Sequence, residues 1–488
     1  MMRNRIRGVM EEIVCDLCVI GSGPAGQKAA IQAAKMGKSV VVVERSYSQS
    51  KKSVLSGPGG NCLYSGTIPS KTLREAILDL TAFRERSFYA QDIPIPHVSI
   101  SDLNYRLHKV IGDLRDIVQR QFNKNGIKLV DGVARFENEH MLIVVDEDYR
   151  LKYQVTADFF IIATGSKPRN PEEIPFDNEV ILDSTRILAI DEVPKTMIVL
   201  GGGIIGSEYA SLFAALGTDV IVVDKKAHML PILDAEIGIH LQTALTDIGL
   251  VFRGGIKSKK IRKEEGKAVV EFEDGTTLKA DCLLYCLGRV ADVGDLHIEN
   301  AGLELNKDGV IPVNTLFQTY VHHIYAVGDV IGGPSLASTA MEQGRLAARH
   351  AFGEKTRQFS AAFPIGIYTI PEISSCGYTE NELRELGYRY EVGRAYYYEI
   401  ARSHISGSHC GLFKILFHAE TLEILGVQII GPDATELIHV GQLAINFHAH
   451  LDYLVDQVFN YPTFAEGYRI AALNGLNKVK KGSVFPTS

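Results

Sequence analysis

Two glycine turns of one form constrain this chain of 488 residues more than any other feature. The first is Gly21-Ser22-Gly23-Pro24-Ala25-Gly26. It follows an apolar run at 14–20 and precedes a helix predicted over 27–36, after which a second apolar run, 39–43, ends on Glu44. The second is Gly201-Gly202-Gly203-Ile204-Ile205-Gly206. It lies between a strand at 196–200 and a helix at 207–216, and the next strand, 218–223, ends on Asp224 at the same spacing. Strand, glycine turn, helix, strand and acid is the order of a dinucleotide-binding unit. Gly21 and Gly201 allow the tight turn. Gly23 and Gly203 let backbone approach a pyrophosphate at the helix N-terminus. Gly26 and Gly206 let helix and strand pack closely, and Glu44 and Asp224 stand where ribose hydroxyls need acceptors. One such turn could serve another α/β unit. Two with the same spacing point to two dinucleotides, hence to electron transfer between redox cofactors.

The rest of the chain is ordinary globular material. Hydrophobic types at 46% and charged types at 22% exclude disordered, collagenous and fibrous classes, and the length predicts about three domains. A net charge of −7 gives no support for tracking a nucleic-acid backbone. Seven cysteines, odd in number, argue against a secreted disulfide scaffold. No run reaches the roughly 18 apolar residues of a membrane-spanning helix. The first twelve residues carry arginines without a signal-peptide pattern, so the cytoplasm is the expected compartment. Between and after the turns, 107–121 reads as a helix, and 130–145 and 153–162 as strands closed by Ala163-Thr164-Gly165. Residues 267–278 form a hairpin with Asp274-Gly275 at its turn, and a strand at 281–287 ends on Gly288-Arg289. A strand at 324–327 ends on Gly328-Asp329 before a helix at 338–352. Asp329, at a strand's carboxyl end, is placed either to face a cofactor or to sit in a surface turn. The last part, with strands at 413–417 and 424–430 and a helix at 434–447, carries no glycine fingerprint and reads as an α+β interface module.

Further motifs join these: Gly59-Gly60-Asn61-Cys62-Leu63-Tyr64-Ser65-Gly66-Thr67-Ile68-Pro69-Ser70-Lys71, Glu208, and Phe459-Asn460-Tyr461-Pro462-Thr463-Phe464-Ala465-Glu466. Together they resemble the flavoprotein disulfide reductase (pyridine nucleotide-disulfide oxidoreductase) family over nearly the whole chain. The resemblance implies an α/β fold with two Rossmann-like dinucleotide-binding domains, one inserted in the other, plus a C-terminal α+β dimerisation domain. An FAD-binding domain at 1–165 would resume at 288–358, around an NAD(P)-binding domain at 166–287, with dimerisation at 359–488. FAD would lie among Gly21, Gly23, Gly26, Glu44, Cys62, Thr67, Lys71, Thr164, Gly165, Gly288, Gly328 and Asp329. NAD(H) or NADP(H) would lie at Gly201, Gly203, Gly206 and Asp224. The chain would form a homodimer or a higher homo-oligomer, with neither nucleic acid nor membrane as partner.

Two departures from the family pattern decide the expected chemistry. Disulfide reductases carry two cysteines five apart before Pro-Ser-Lys, and here the second position is Thr67, beside Cys62 alone. They also use a C-terminal histidine paired with a glutamate, and here that position is Tyr461, with Glu466 retained. A threonine cannot form a disulfide, and a tyrosine, with pKa near 10, is a poor base at neutral pH. Both halves of the dithiol apparatus are replaced. The resemblance then implies hydride transfer between NADPH and NAD+ through reduced flavin, by a ping-pong mechanism. Lys71 would lie near the flavin and pair with Glu208, and Tyr461 and Glu466 would shape the pocket wall. The alternative is an NAD(P)H dehydrogenase that reduces quinones or other acceptors, and a third class is an FAD-binding module without redox activity. The carboxylate of Asp224 favours a free ribose hydroxyl over a 2′-phosphate. Lys225 and Lys226 could pair with that phosphate or be solvated loop charges.

Other candidates have blander readings. Cys15 and Cys18 have CxxC spacing, but strand alternation would put them on opposite faces, as core residues. Cys282 and Cys286 are too far apart along a strand to bridge. Cys376 and Cys410 have no visible partner. His322-His323, His448 and His450 lack structural-zinc spacing, so no metal is expected, and His439 falls in the segment resembling the dimer-contributed wall.

Overall fold

The structure is a computed structural model that describes residues 11–45, 57–85, 100–356 and 362–482. The N-terminal arginines discussed above lie outside the described residues. The chain divides into two compact units. One contains the described residues within 1–72, 104–169 and 288–359, the other those within 73–103, 170–287 and 360–488.

The first unit is built on a seven-stranded sheet around Glu11–Ile20, which pairs in parallel with Val40–Glu44 on one side and Leu151–Ile162 on the other. Leu151–Ile162 is long enough to serve several partners. Its first half pairs antiparallel with Met141–Val145, and its end, from Phe160 to Ile162, pairs in parallel with Ile324–Ala326. The chain that returns after the inserted region therefore joins the sheet at its carboxyl edge. Hydrogen bonds run along that edge from Gly21 N–H to Val43 O, Ala163 N–H to Ile20 O and Val327 N–H to Ile162 O, at 2.8 to 3.0 Å. The helices Pro24–Lys35 and Ala337–Ala351 cover one face. They approach closely because Gly344 has no side chain: a Cβ there would stand 2.1 Å from the Ala25 carbonyl oxygen.

The second unit contains a parallel five-stranded sheet in the order Val251–Gly254, Asp219–Asp224, Thr196–Leu200, Cys282–Tyr285, Ile181–Asp183. Beside it in sequence lie the three-stranded sheet carrying the 267–280 hairpin, and an antiparallel five-stranded sheet formed by the C-terminal segment. The near-continuous burial of Met197–Leu200 and Cys282–Leu284 is what a parallel strand covered on both faces requires.

Both glycine-turn helices begin three residues earlier than the periodicity predicts, at Pro24 and Ile204. The third glycine of each turn therefore lies inside the first helical turn. Proline suits that place, since its missing N–H would have no helical partner there. A second correction concerns Cys15 and Cys18. Both are buried in the cluster that holds Ile13 and Ile20, whereas Leu17 and Val19 face another core. Alternation breaks at Asp16, where the N–H groups of Asp16 and Leu17 both donate to the Ser39 carbonyl, the two-against-one pattern of a β-bulge. Both thiols are free, and burial pushes Cys15 up to about 12 and Cys18 well above its ordinary value.

Candidate cofactor sites

In the first unit, sterics explain the first and third glycines of the turn. Gly21 has φ +99°, and a Cβ on it would lie 2.4 Å from the Ala163 carbonyl oxygen; one on Gly26 would lie 1.9 Å from the Gly21 oxygen. Gly23 is extended, and nothing stands within 4 Å of its Cβ direction, so the turn is open on the side of the helix N-terminus. Glu44 accepts hydrogen bonds from the backbone N–H and hydroxyl of Ser22. Burial raises its pKa, opposed by these two bonds. Ser22 Oγ in turn accepts from Gly59 N–H at 2.9 Å, and Gly60, at φ +62°, lies against Gly23, where a Cβ would come within 2.8 Å of the Gly23 Cα. The glycine pair before Cys62 thus packs against the first turn. Ser22 was not among the predicted residues; its signal is a hydroxyl between two glycines.

The residues Cys62, Thr67, Lys71 and Asp329 come together electrostatically. Burial raises the Cys62 pKa, the Thr67 hydroxyl and Lys71 lower it, and Asp329 raises it. Thr67 and Lys71 share the helix Thr67–Glu85, one turn apart. Asp329 follows Ile324–Ala326 and accepts from Ser166 Oγ at 2.6 Å. Arg289 fixes Ser166 from the far side, with Nε on its hydroxyl at 2.8 Å and Nη2 on its carbonyl at 2.6 Å, and Asn61 donates to that same carbonyl at 2.6 Å. Gly328 N–H donates to the buried Gln343 side chain at 2.8 Å. Asn61, Ser166 and Arg289 also escaped prediction, because each meets its partner only across more than a hundred residues, and Gln343 because its partner lies in the turn before its helix. Gly165, at φ +71°, accepts from Asp292 N–H, and Gly288 accepts from Arg169 N–H. Thr164 Oγ1 is buried with no hydrogen-bond partner among the described residues. An orphaned buried hydroxyl beside an open glycine turn fits a polar ligand that would satisfy it.

The second unit repeats the first turn. Gly201, at φ +111°, faces the Cys286 carbonyl, where a Cβ would come within 2.8 Å, and a Cβ on Gly206 would lie 1.9 Å from the Gly201 oxygen. Gly203 is open like Gly23. Asp224 accepts from Gly202 N–H at 2.6 Å and from Lys226 N–H at 2.8 Å, so both its oxygens are engaged by backbone. Lys225 and Lys226 are exposed. Glu208 is buried on the helix Ile204–Ala215 and accepts from Tyr368 N–H at 2.9 Å. Lys71 and Glu208 belong to different units. Tyr461 is 72% exposed in the single chain. Glu466 opens the helix Glu466–Gly482, and its Oε2 is buried with no hydrogen-bond partner among the described residues. The exposed His439 pairs with Gln442, and His448 with Glu423. The described acidic cluster with metal-like spacing, Asp234, Glu236 and Glu380, surrounds the ammonium of Lys414.

Residues 15–344 match the pyridine nucleotide-disulphide oxidoreductase family, and residues 363–472 match the dimerisation domain of the same proteins. The chain belongs to the pyridine nucleotide-disulphide oxidoreductase family. It is similar to the soluble pyridine nucleotide transhydrogenase of Mycobacterium tuberculosis, at 46% identity over 471 residues, covering 96% of this chain and 99% of the relative. The protein of the same name from Chromohalobacter salexigens is 43% identical over 468 residues, covering 95% and 98%. Among solved structures, LpdA of Mycobacterium tuberculosis superposes with TM-score 0.86 at 24% identity, and the flavoprotein disulfide reductase RclA of Escherichia coli with 0.83 at 27%; each covers 94% of this chain and 99% of its own.

Proposed function

We propose that this protein transfers hydride between NADPH and NAD+ with a bound FAD. The observation that carries the reading is the pair Cys62 and Thr67: one partly buried thiol faces a hydroxyl where a disulfide reductase has its second sulfur. The names of the similar transhydrogenases support it. The first glycine turn, with Glu44, Thr164 and Asp329, would hold FAD, which when bound accepts a hydride and passes it on. Lys71 would supply a positive charge to offset negative charge on a flavin bound there. The second turn, with Asp224, would hold the nicotinamide dinucleotide. With one glycine turn given to FAD and one left, the two nicotinamide substrates must use the second site in succession, which is the basis for a ping-pong order. Cys62 has no electron-carrying role in this scheme. Tyr461, exposed on the dimerisation domain beside Glu466, would complete the pocket of the second copy in a homodimer. In this reading FAD-binding residues occupy 1–165 and 288–358, nicotinamide-binding residues 166–287, and the interface 359–488. No helix among the described residues is long and apolar enough to cross a membrane. The cytoplasmic placement rests on the sparse, odd-numbered cysteines of the sequence.

Anaerobic stopped-flow tests the function. NADPH should bleach the flavin, and NAD+ added next should restore its colour within a turnover time. Bleaching without restoration would replace this reading with a dehydrogenase that passes electrons to quinones. No bleaching by either nicotinamide would remove both.

A further inference from the structure

A five-residue strap, 368–372, joins the strands Ile365–Ile367 and Ile373–Gly377. Two of its N–H groups are spent on one helix. Tyr368 donates to Glu208 Oε1 at 2.9 Å, and Ile370 to Ser211 Oγ at 3.3 Å, and both acceptors are buried about one turn apart on Ile204–Ala215. At the other end Glu372, also buried, accepts from the N–H and hydroxyl of Thr435 at 3.2 Å. Between these ends sits Arg74, with a side chain only 8% exposed. Its Nε donates to the Thr369 carbonyl at 3.2 Å, its Nη2 lies 3.1 Å from Glu372, its Nη1 reaches Glu75 at 2.9 Å, and the guanidinium lies 6.0 Å from the Tyr368 ring centroid.

Burying an ion pair is a poor way to gain stability, because desolvation consumes most of the attraction and apolar groups of similar volume often do as well. What a guanidinium adds is direction, since its planar fork fixes a carbonyl and a carboxylate at once, which neither an apolar chain nor the point charge of lysine does. Burial raises the pKa of Glu372 while Arg74 opposes it, as expected where the carboxylate depends on this cation. We propose that Arg74 is a positioning residue for the helix Ile204–Ala215, locking the strap whose N–H groups hold Glu208 and Ser211 in place. This rests on the reading of that helix as the nicotinamide-binding one. The glycine turn has its own ties, Gly202 to Asp224 and Ser207 to Gly203. Loss of Arg74 therefore spares dinucleotide binding and disturbs the placement of Glu208.

The test uses full-length flavin-loaded protein: wild type, Arg74→Lys, and the double variant Arg74→Met/Glu372→Gln, which leaves no unpaired buried charge. Melting temperature, bound flavin, and anaerobic bleaching over a range of NADPH concentrations are measured for each. Both variants should keep the NADPH dissociation constant within about threefold while the limiting bleaching rate per bound flavin falls about tenfold or more. The double variant should melt near wild type yet stay slow. Wild-type bleaching per bound flavin in the double variant would overturn the proposal, as would slowing in Arg74→Lys that merely follows lost flavin or lost folding. A wild-type protein that NADPH fails to bleach would instead remove the nicotinamide reading of the helix, a separate outcome.

Discussion

At the scale of single residues, the proposed chemistry turns on Thr67 and Asp224. Thr67 places a hydroxyl beside Cys62, whose pKa burial raises against the smaller pull of Thr67 and Lys71. With no second sulfur to oxidise, anaerobic titration with dithionite should end when each flavin has taken up one hydride equivalent. Uptake of a second equivalent, as a flavin with a redox disulfide requires, would show that another thiol pair takes part. Asp224 is a different case. Its sequence position suggested a ribose acceptor, and the structure shows both oxygens already receiving backbone N–H groups. Asp224→Asn removes the negative charge near a 2′-phosphate but can keep only one of those bonds. Binding of NADP(H) should improve relative to NAD(H) by several-fold, with both weakened by the lost turn contact. Equal changes in the two dissociation constants, measured by flavin or nicotinamide fluorescence, would contradict that electrostatic role.

At the scale of elements, the two glycine turns are copies in three dimensions as well as in sequence. In each, a Cβ on the third glycine would lie 1.9 Å from the carbonyl oxygen of the first. Relief requires the helix to lift from its strand, at the ~1–3 kcal/mol typical of overpacking. Gly26→Ala should purify with a reduced flavin-to-protein absorbance ratio, whereas Gly206→Ala should retain flavin and bind nicotinamide at least tenfold more weakly. The converse pattern would exchange the roles of the two turns. These elements were legible because their rule is local: a glycine where backbone meets backbone, an apolar run before it, an acid after the next strand. The exact helix starts and the bulge at Asp16 were not, since the first depends on Pro24 and Ile204 joining the helix and the second on Ser39 from the neighbouring strand. Ser22 was similarly hidden, because its hydroxyl works only once Glu44 and Gly59 are folded around it.

Within the second unit as a whole, buried charge is gathered at Lys414. Its side chain is 0% exposed and meets Asp234 at 2.7 Å, Glu236 at 2.9 Å and also Glu380, while Arg394 holds Glu236 from the other side. Lys414→Met would strand these carboxylates and should destabilise the protein by ~3–5 kcal/mol, read from denaturant unfolding. Burial raises the Glu236 pKa, but hydrogen bonds from Arg394 and Lys414 outweigh it and bring the group to about 2, against an ordinary 4.5. A carboxylate depressed in the folded state adds stability above its unfolded pKa and loses it as pH falls through the folded one. Melting temperature should therefore drop between about pH 4.5 and 2 in the wild type, and less steeply in Glu236→Gln; parallel curves would count against this cluster as an acid-sensitive contact. The sequence by itself determined the two dinucleotide turns and the absence of a second active-site sulfur, because steric demand at glycine and side-chain chemistry act over a few neighbouring residues. Only the tertiary structure decided that Asp329 meets Ser166 and Arg289, that Arg74 locks the 368–372 strap, and that Lys414 gathers three acids. Those partners are distant in the chain, and no local period or spacing records which buried charge will find which.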